Sequence, residues 1–416
     1  MADYKKRIVD LVLQDRLKAK GAILIRGPKW CSKTTTAVQK VASVLKMDNP
    51  ETKEQNLDMA RLNPLRLLKG NVPRLIDEWQ LAPSLWDARR MGQFILTSSA
   101  VPPDTSGMTH SGTGRFSWLM MRPMSLYESG ESTGEVSLKE LFSEGYAVDG
   151  EGRLDMDGLA FLVCRGGWPL SVDLRRKAAL QQTFDYYDAV VEFDINRADG
   201  VNKNPECVRR IMRSLARNQG TQAASTVIAD DIMANEAGKV NEDTVHSYIK
   251  ALKKIFVVED MPAWNPNLRS KSAIRTTDTR YYVDPSIAAA SLGIGPDDLF
   301  NDLKTFGLLF ETMCVRDLRV FAESLGGSVY HYRDNTGLEC DAIVHLRNGK
   351  YGLVEIKLGG EKAIGDGARS LLKLRSVIDT ARMRDPSFMM VLTGVGQYAY
   401  RREDGVLVVP VGVLKD

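Results

Sequence analysis

Apolar positions in the first hundred residues fall into short unbroken runs. Ala22-Ile23-Leu24-Ile25-Arg26 is the first, Pro73 to Gln80 carries Leu75-Ile76 ahead of Asp77-Glu78, and Phe94-Ile95-Leu96-Thr97-Ser98-Ser99-Ala100 is the third. Runs of this length predict buried strands. After residue 204 the period becomes helical. Arg209, Arg213 and Arg217 recur every four residues and stack on one helix face. Ser225 to Asn235 continues as helix, and Asn241 is placed to cap a third helix whose Val245, Tyr248, Ile249, Leu252 and Ile255 make one apolar stripe. Two strand-like runs follow, Phe256-Val257-Val258-Glu259 and Arg280-Tyr281-Tyr282-Val283, and then a helix from Phe306 to Phe321. Gly352-Leu353-Val354-Glu355-Ile356-Lys357-Leu358 alternates strictly, which puts Glu355 and Lys357 on one face and sends Val354, Ile356 and Leu358 into the core. Glu339 and Asp341 share a face of the preceding strand, and strands at Ser387 to Leu392 and Gly405 to Val411 complete a mixed sheet. The pattern is that of an α/β chain.

The turn after the first strand carries the most specific chemistry. Gly27-Pro28-Lys29-Trp30-Cys31-Ser32-Lys33-Thr34-Thr35 has the layout of a phosphate-binding loop. In such a loop backbone N–H groups wrap the phosphates, the lysine reaches the β/γ-phosphates and the following hydroxyl holds Mg²⁺. Lys33 and Thr34 take those roles, at the start of a helix expected to run through Thr36, Ala37, Val38 and Val41. Ser32 stands where the second glycine belongs, so a Cβ strains a backbone that wants glycine's freedom. Asp77 and Glu78 end the second strand, where a Mg²⁺-assisting aspartate and a water-activating glutamate are needed. The hydroxyls that end the third strand are placed to sense a γ-phosphate. ATP and Mg²⁺ are the expected cofactors.

The C-terminal alternation yields a second constellation. Asp341 followed by Glu355-x-Lys357 on the adjacent strand matches a restriction-type nuclease site, with Glu311 on the preceding helix as an additional acid. There carboxylates hold Mg²⁺ and the lysine stabilises charge or positions water. Three helices followed by a β-ribbon describe a winged helix-turn-helix, with His246, Lys250, Lys253 and Lys254 on the exposed face of its third helix, toward duplex DNA.

Composition narrows the classes. The 416 residues suit two or three domains, and a net charge of +3 makes any DNA contact local. No apolar stretch approaches the ~20 residues of a membrane span. The N-terminus enters an amphipathic helix without a signal peptide's apolar region, so a cytoplasmic location is expected. Cys31, Cys164, Cys207, Cys314 and Cys340 are scattered, odd in number and without C-x-x-C spacing, which reads as reduced thiols. The Gly-, Glu-, Asp- and Ser-rich segment from about Gly130 to Gly158 reads as a surface insertion, and Asp199 to Pro205 as the clearest linker.

With His110-Ser111-Gly112-Thr113-Gly114-Arg115-Phe116, Met121-Arg122-Pro123-Met124-Ser125-Leu126-Tyr127-Glu128 and Gly166-Gly167-Trp168-Pro169, these segments resemble prokaryotic AAA-type ATPases with a restriction-endonuclease-like C-terminal domain, over nearly the whole chain. The resemblance implies a P-loop domain over 1–200, with a parallel sheet and helices on both faces, a winged helix over 204–285 and a nuclease-like α/β domain over 290–416. It assigns Gly27, Lys33, Thr34, Asp77 and Glu78 to nucleotide and Mg²⁺, and makes Arg115 the first and Arg122 the second choice for an arginine acting on the γ-phosphate. Ser98 departs from the usual glycine after Thr97, and only fifteen residues, Trp79 to Gln93, separate the acidic pair from the next strand, room for a short helix around Ser84 to Arg90. AAA-type proteins often share active sites between neighbours, so a homo-oligomer is compatible with the resemblance. Two readings stay open: an ATPase coupled to C-terminal domains that act on DNA, and a non-hydrolysing, ATP-bound interaction protein with an inactive nuclease-like domain.

Overall fold

The three apolar runs form β1 (Ala22–Arg26), β3 (Arg74–Asp77) and β4 (Phe94–Ser98), and two strands not read from the sequence, β2 (Ser43–Lys46) and β5 (Phe116–Met120), join them, every neighbour parallel, in the order β2-β3-β4-β1-β5. The computed structural model describes residues 4–19, 21–86, 93–101, 116–236, 239–267 and 274–416. Alternate residues of β1 enter different apolar layers. Ile23 and Ile25 pack with Val9 and Leu13 of the helix Val9–Ala19 and with Ala37, while Ala22 and Leu24 pack with Ala60, Leu67 and Trp79 on the other face. Helices therefore cover both faces of a parallel sheet, as such sheets require. The helix after the Gly27–Ser32 turn is shorter than expected. It spans Lys33–Val38 and stops, because the chain must return to start β2 at Ser43. Of the expected helix near Ser84 to Arg90, Pro83–Trp86 is a 3-10 turn and the remainder lies outside the described residues.

The segment from Gly130 to Gly158 is not a surface insertion. It contributes β6 (Val136–Ser137) and β7 (Gly150–Glu151), both of which join strands from the far end of the chain. The three expected helices are Pro205–Arg217, Ser225–Asn235 and Glu242–Lys254, followed by the antiparallel ribbon β8 (Val258–Met261) and β9 (Thr279–Tyr282). Asn241 caps the third helix, accepting from Thr244 N at 2.7 Å. The arginine face of the first is consumed internally. Arg209 pairs with Glu192 at 2.7 Å, Arg213 with Glu236 at 2.7 Å and Arg217 with Asp231 at 2.6 Å. These arginines tie helices together and leave no free cationic stripe.

The remaining strands are β10 (Gly327–Arg333), β11 (Glu339–Leu346), β12 (Tyr351–Lys357), β13 (Phe388–Thr393), β14 (Tyr398–Arg401), β15 (Leu407–Pro410) and β16 (Leu414–Lys415). They build a mixed sheet in the order β10-β11-β12-β13-β15-β14-β7, with β16 pairing in parallel with β6. Helix Leu303–Ser324 covers one face and Glu361–Val377 the other, so β12 is buried on both sides. Its Val354 and Ile356 pack against the former and its Leu353 against Ala368 and Leu371 of the latter. One buried cluster runs continuously from Leu126 to Leu414, whereas the clusters around the parallel sheet draw only on residues 9 to 121. The five cysteines carry free thiols, four of them buried. Among the described residues, no helix is long and apolar enough to cross a membrane.

Candidate functional site

The turn Gly27–Ser32 sits at the C-terminal edge of the parallel sheet, where β1 gives way to the helix Lys33–Val38. Gly27 is obligatory, because a Cβ there would collide with the Met121 carbonyl oxygen. Ser32 adopts the left-handed conformation, φ 67° and ψ 32°, which disfavours a residue bearing a Cβ by ~1–2 kcal/mol. The expected strain is thus present, at the expected residue. Cys31 is fully buried and its Sγ lies 3.1 Å from the Pro28 carbonyl oxygen. Lys33 is buried too, and its Nζ donates to the carbonyls of Gly27 at 3.0 Å and Pro28 at 2.6 Å. The ammonium caps its own loop. Thr35 is exposed on the helix.

Sheet order brings the second chemical element beside the first. β4 lies between β1 and β3, so hydroxyls of β4 meet the carboxylates that end β3. Thr34 Oγ1 donates to Asp77 Oδ1 at 2.8 Å, and Thr97 Oγ1 donates to the same oxygen. Ser99 Oγ donates to Glu78 Oε2 at 3.0 Å, joined there by Gln80 Nε2. Ser98 turns back to the Ala100 carbonyl, so the hydroxyls turned toward the acidic pair are those of Thr97 and Ser99. Burial pushes the Glu78 carboxyl above its ordinary value, while Ser99 and the Lys33 charge pull it back. Glu78 itself holds a left-handed backbone, φ 53°. Thr34 and Asp77 form a pair of hard oxygen donors at the foot of Lys33, a set that fits Mg²⁺.

A cavity of about 570 Å³, within the range of small-ligand sites, opens beside Glu78 and Ser99; Lys29 is the one loop residue that lines it, and Lys33, Thr34 and Asp77 do not. Lys29, Glu78 and Ser99 line it from the sheet, and Tyr186, Val190, Asp194 and Arg197 from a helix that packs across it, with Ile255 and Val257 closing the end. The helix Arg176–Ala189 passes into a π-turn at Val190–Asp194, and the wider turn re-aims the side chains beyond it. Asp194 pairs with Lys29 at 2.5 Å. Trp30 meets the Tyr186 ring edge-on at 5.4 Å, and Tyr186 lies 4.3 Å from Trp168. The Gly166-Gly167-Trp168-Pro169 segment is thus one packed residue away from the loop. Arg197 is exposed at the cavity, with no carboxylate partner among the described residues. Sequence reasoning misses Tyr186, Asp194 and Arg197. Their only signal is a carboxylate and an arginine three residues apart on one helical face.

The arginines proposed for a γ-phosphate fare differently. Arg115 lies outside the described residues. Arg122 is buried and committed to Glu259, with Nε at 2.9 Å and Nη2 at 2.5 Å.

In the C-terminal sheet, Asp341, Glu355 and Lys357 meet as the alternation requires. Lys357 Nζ sits 3.0 Å from Asp341 Oδ2 and 2.7 Å from Glu355 Oε2, and Ile356 N donates to Asp341 at 2.8 Å. Glu339, Arg369 and Lys373 join them around a cleft of about 400 Å³. Burial, reinforced by the Asp341 charge, pushes Glu355 up to about 8. Glu311 is also pushed up to about 8, chiefly by burial, but it accepts from Tyr281 Oη at 2.6 Å and does not line the cleft. Lys357 thus bridges Asp341 and Glu355, and Glu311, held by Tyr281, lies near enough for the Asp341 and Glu355 charges to raise it as well. Among the described residues no three acidic, histidine or cysteine side chains stand close enough to hold a metal ion. The two carboxylates do not fit Mg²⁺ while Lys357 lies between them.

Fold and site define an α/β protein whose parallel sheet carries a glycine–lysine turn, Gly27 to Lys33, facing an acidic strand end. Residues 156–298 match a domain of unknown function (DUF8612), and residues 306–414 match a second domain of unknown function (DUF4143). No curated protein matches the chain. Among solved structures the chain is similar to the Walker-type ATPase of Pyrococcus abyssi, at 12% identity over 70% of this chain and 96% of that one, with a TM-score of 0.43. It is also similar to the ORC1 protein of Aeropyrum pernix in complex with DNA, at 12% identity over 73% and 95% and a TM-score of 0.24. Likenesses this distant carry no weight beside the site geometry.

Proposed function

We propose that this chain binds and hydrolyses ATP with Mg²⁺ at the Gly27–Thr35 loop, beside the cavity of about 570 Å³ that Lys29, Glu78 and Ser99 line, and transmits the nucleotide state to its C-terminal half. The observation that carries the reading is Lys33 folded onto the carbonyls of Gly27 and Pro28 immediately beside the Thr34–Asp77 pair. Lys33 exchanges those carbonyls for phosphate oxygens, and the loop from Gly27 to Thr35 supplies its amides. Thr34 and Asp77 hold Mg²⁺, which when bound polarises the phosphoryl oxygens and offsets their charge. Glu78, oriented by Ser99 and Gln80, accepts a proton from the attacking water, and its raised pKa makes it the stronger base. Arg115, from the sequence, and Arg197, from the cavity wall, are the candidates to face the γ-phosphate. Steady-state phosphate release from ATP, for wild type and Lys33→Ala, tests this directly. Turnover abolished in the variant is expected, and equal release from both refutes it.

Duplex DNA is the proposed object, met by a winged helix made from the three helices and the β8–β9 ribbon. His246 and Lys250 are exposed there, while Lys253 is tied to Asp260 and Lys254 is half-buried. Stimulation of phosphate release by duplex DNA, lost on Lys250→Glu, is the expected result. A second reading, a non-hydrolysing switch, draws support from the strained Ser32; it requires ATP binding without turnover. For the C-terminal cleft, the Lys357 bridge favours a structural or phosphate-contacting role over metal-dependent cleavage. A Mg²⁺-dependent nick in plasmid DNA that Asp341→Ala removes would reverse that preference.

A further inference from the structure

The phosphate loop is gripped from behind by the segment that precedes the first helix. Arg7, 5% exposed, donates Nη1 to the Cys31 carbonyl at 3.0 Å and Nη2 to the Arg122 carbonyl at 2.9 Å. It also meets both oxygens of Glu128, at 2.9 and 3.3 Å. Glu128 is fixed in turn, accepting from Ile8 N at 2.8 Å and Ser125 N at 2.9 Å. A second tie lies three residues away. Tyr4 Oη donates to Asp10 at 2.9 Å and sits 3.2 Å from Thr36 Oγ1 on the loop's helix.

The carbonyl that Arg7 holds belongs to the residue just before Ser32. The Cys31–Ser32 peptide is trans, so with its carbonyl turned to Arg7 its N–H points to the opposite side. Left alone, a serine favours other backbone basins over the left-handed one by about tenfold or more. Glycine needs no such help. We propose that Arg7 is a positioning residue for the nucleotide: it substitutes for the missing loop glycine by locking the Cys31–Ser32 peptide with the Ser32 N–H aimed at the phosphates. The proposal rests on the ATP-binding reading above. It predicts that the need for Arg7 disappears when residue 32 can adopt the left-handed conformation freely.

The test is a double-mutant cycle in the full chain: R7K, S32G and both together. Lysine keeps a positive charge beside Glu128, but its one nitrogen cannot occupy the three positions from which Arg7 Nε, Nη1 and Nη2 reach Glu128, Cys31 and Arg122. Two readouts are taken, the Kd of a fluorescent mant-ATP and the thermal midpoint without nucleotide. R7K is expected to weaken mant-ATP binding by about tenfold when residue 32 is serine and by less than about threefold when it is glycine, with non-additive midpoints. The same loss in both backgrounds overturns the proposal. If wild type fails to bind mant-ATP, the nucleotide reading falls, and the midpoints alone decide whether Arg7 holds Ser32: non-additivity supports it and additivity overturns it. If R7K does not fold, recovery of folded protein on adding S32G is expected, and no recovery overturns it.

Discussion

Replacing Arg316 with methionine tests what holds the loops at Leu126 and Gly167 to the helix Leu303–Ser324. Arg316 and its partners are almost fully buried, with side chains 1% exposed for Arg316, 0% for Asp284 and 2% for Asp317. Arg316 reaches Asp284 at 2.8 Å and Asp317 at 2.7 Å. Each carboxylate also holds a loop from earlier in the chain: Gly167 N donates to Asp284 at 3.0 Å, and Leu126 N donates to Asp317 at 2.9 Å. Removing the cation strands two buried carboxylates, a class of change that costs about 3–5 kcal/mol. The loss depends on pH in a defined direction. Burial pushes Asp317 up to about 6 from 3.8 even with Arg316 present, so its native carboxyl binds a proton more tightly than the unfolded one. Its contribution is present in full below the unfolded value and is lost as pH rises through the folded one, a swing of about 3 kcal/mol. Without Arg316 the folded value rises further, and protonation at pH 5 relieves the stranded charge. Arg316→Met should therefore lower the urea midpoint strongly at pH 7.5 and clearly less at pH 5, each measured against wild type at the same pH. A loss below about 1 kcal/mol at pH 7.5, or an equal loss at both pH values, refutes the reasoning.

Other outcomes turn on single contacts. Ser99→Ala removes a hydrogen bond that holds the Glu78 pKa down, so the acidic limb of the ATP turnover profile should move to higher pH; an unmoved limb removes Glu78 as the base. Asp77→Asn should leave mant-ATP binding in EDTA near wild type while erasing the gain that Mg²⁺ brings, which titrations with and without the metal read out. Gly352→Ala would drive a Cβ into the Phe388 ring, which Phe142 already braces at 5.2 Å, so a loss of about 1–3 kcal/mol in urea unfolding is expected; an unchanged midpoint would show the sheet giving way there.

The legibility of each feature in the sequence depends on how local its signal is. The β1 run, the glycine–lysine turn, the Asp77–Glu78 strand end and the Asn241 cap are written in consecutive residues, and each appears where expected. The left-handed Ser32 is also legible, because a missing glycine in a turn of known shape implies a backbone angle. Long-range partners are not. Arg209, Arg213 and Arg217 look like a free cationic face until Glu192, Glu236 and Asp231 are folded against them. Gly130 to Gly158 looks like an insertion because β6 and β7 are two residues each, too short to show a period, and their pairing strands lie at the end of the chain. Glu311 lies on the helix expected for it, within reach of the Asp341 and Glu355 charges, and only the fold reveals that Tyr281 donates to its carboxylate.

The buried clusters place the mechanical seam of the molecule between residues 121 and 126, where the apolar layers of the parallel sheet stop and the long continuous core begins. The described residues after that seam are cross-tied by β6 to β16, β7 to β14, Lys350 to the Phe142 carbonyl at 2.8 Å, and the arginine hub on the helix Leu303–Ser324. A linker-like composition near residue 200 therefore does not mark a hinge, since Val190, Ile195, Val208 and Ile211 on either side of it share one core. The candidate nucleotide cavity lies across the seam, with Lys29, Glu78 and Ser99 on the sheet side and Tyr186, Asp194 and Arg197 on the other. A ligand bound there touches both bodies, so whatever movement it drives is a change in how the sheet sits on the rest. Trp30, edge-on to Tyr186, and Lys29 paired with Asp194 join the loop directly to the opposite wall, and Arg7–Glu128 and Arg16–Glu323 cross the same seam, so such a movement has to break, remake or pivot about these contacts.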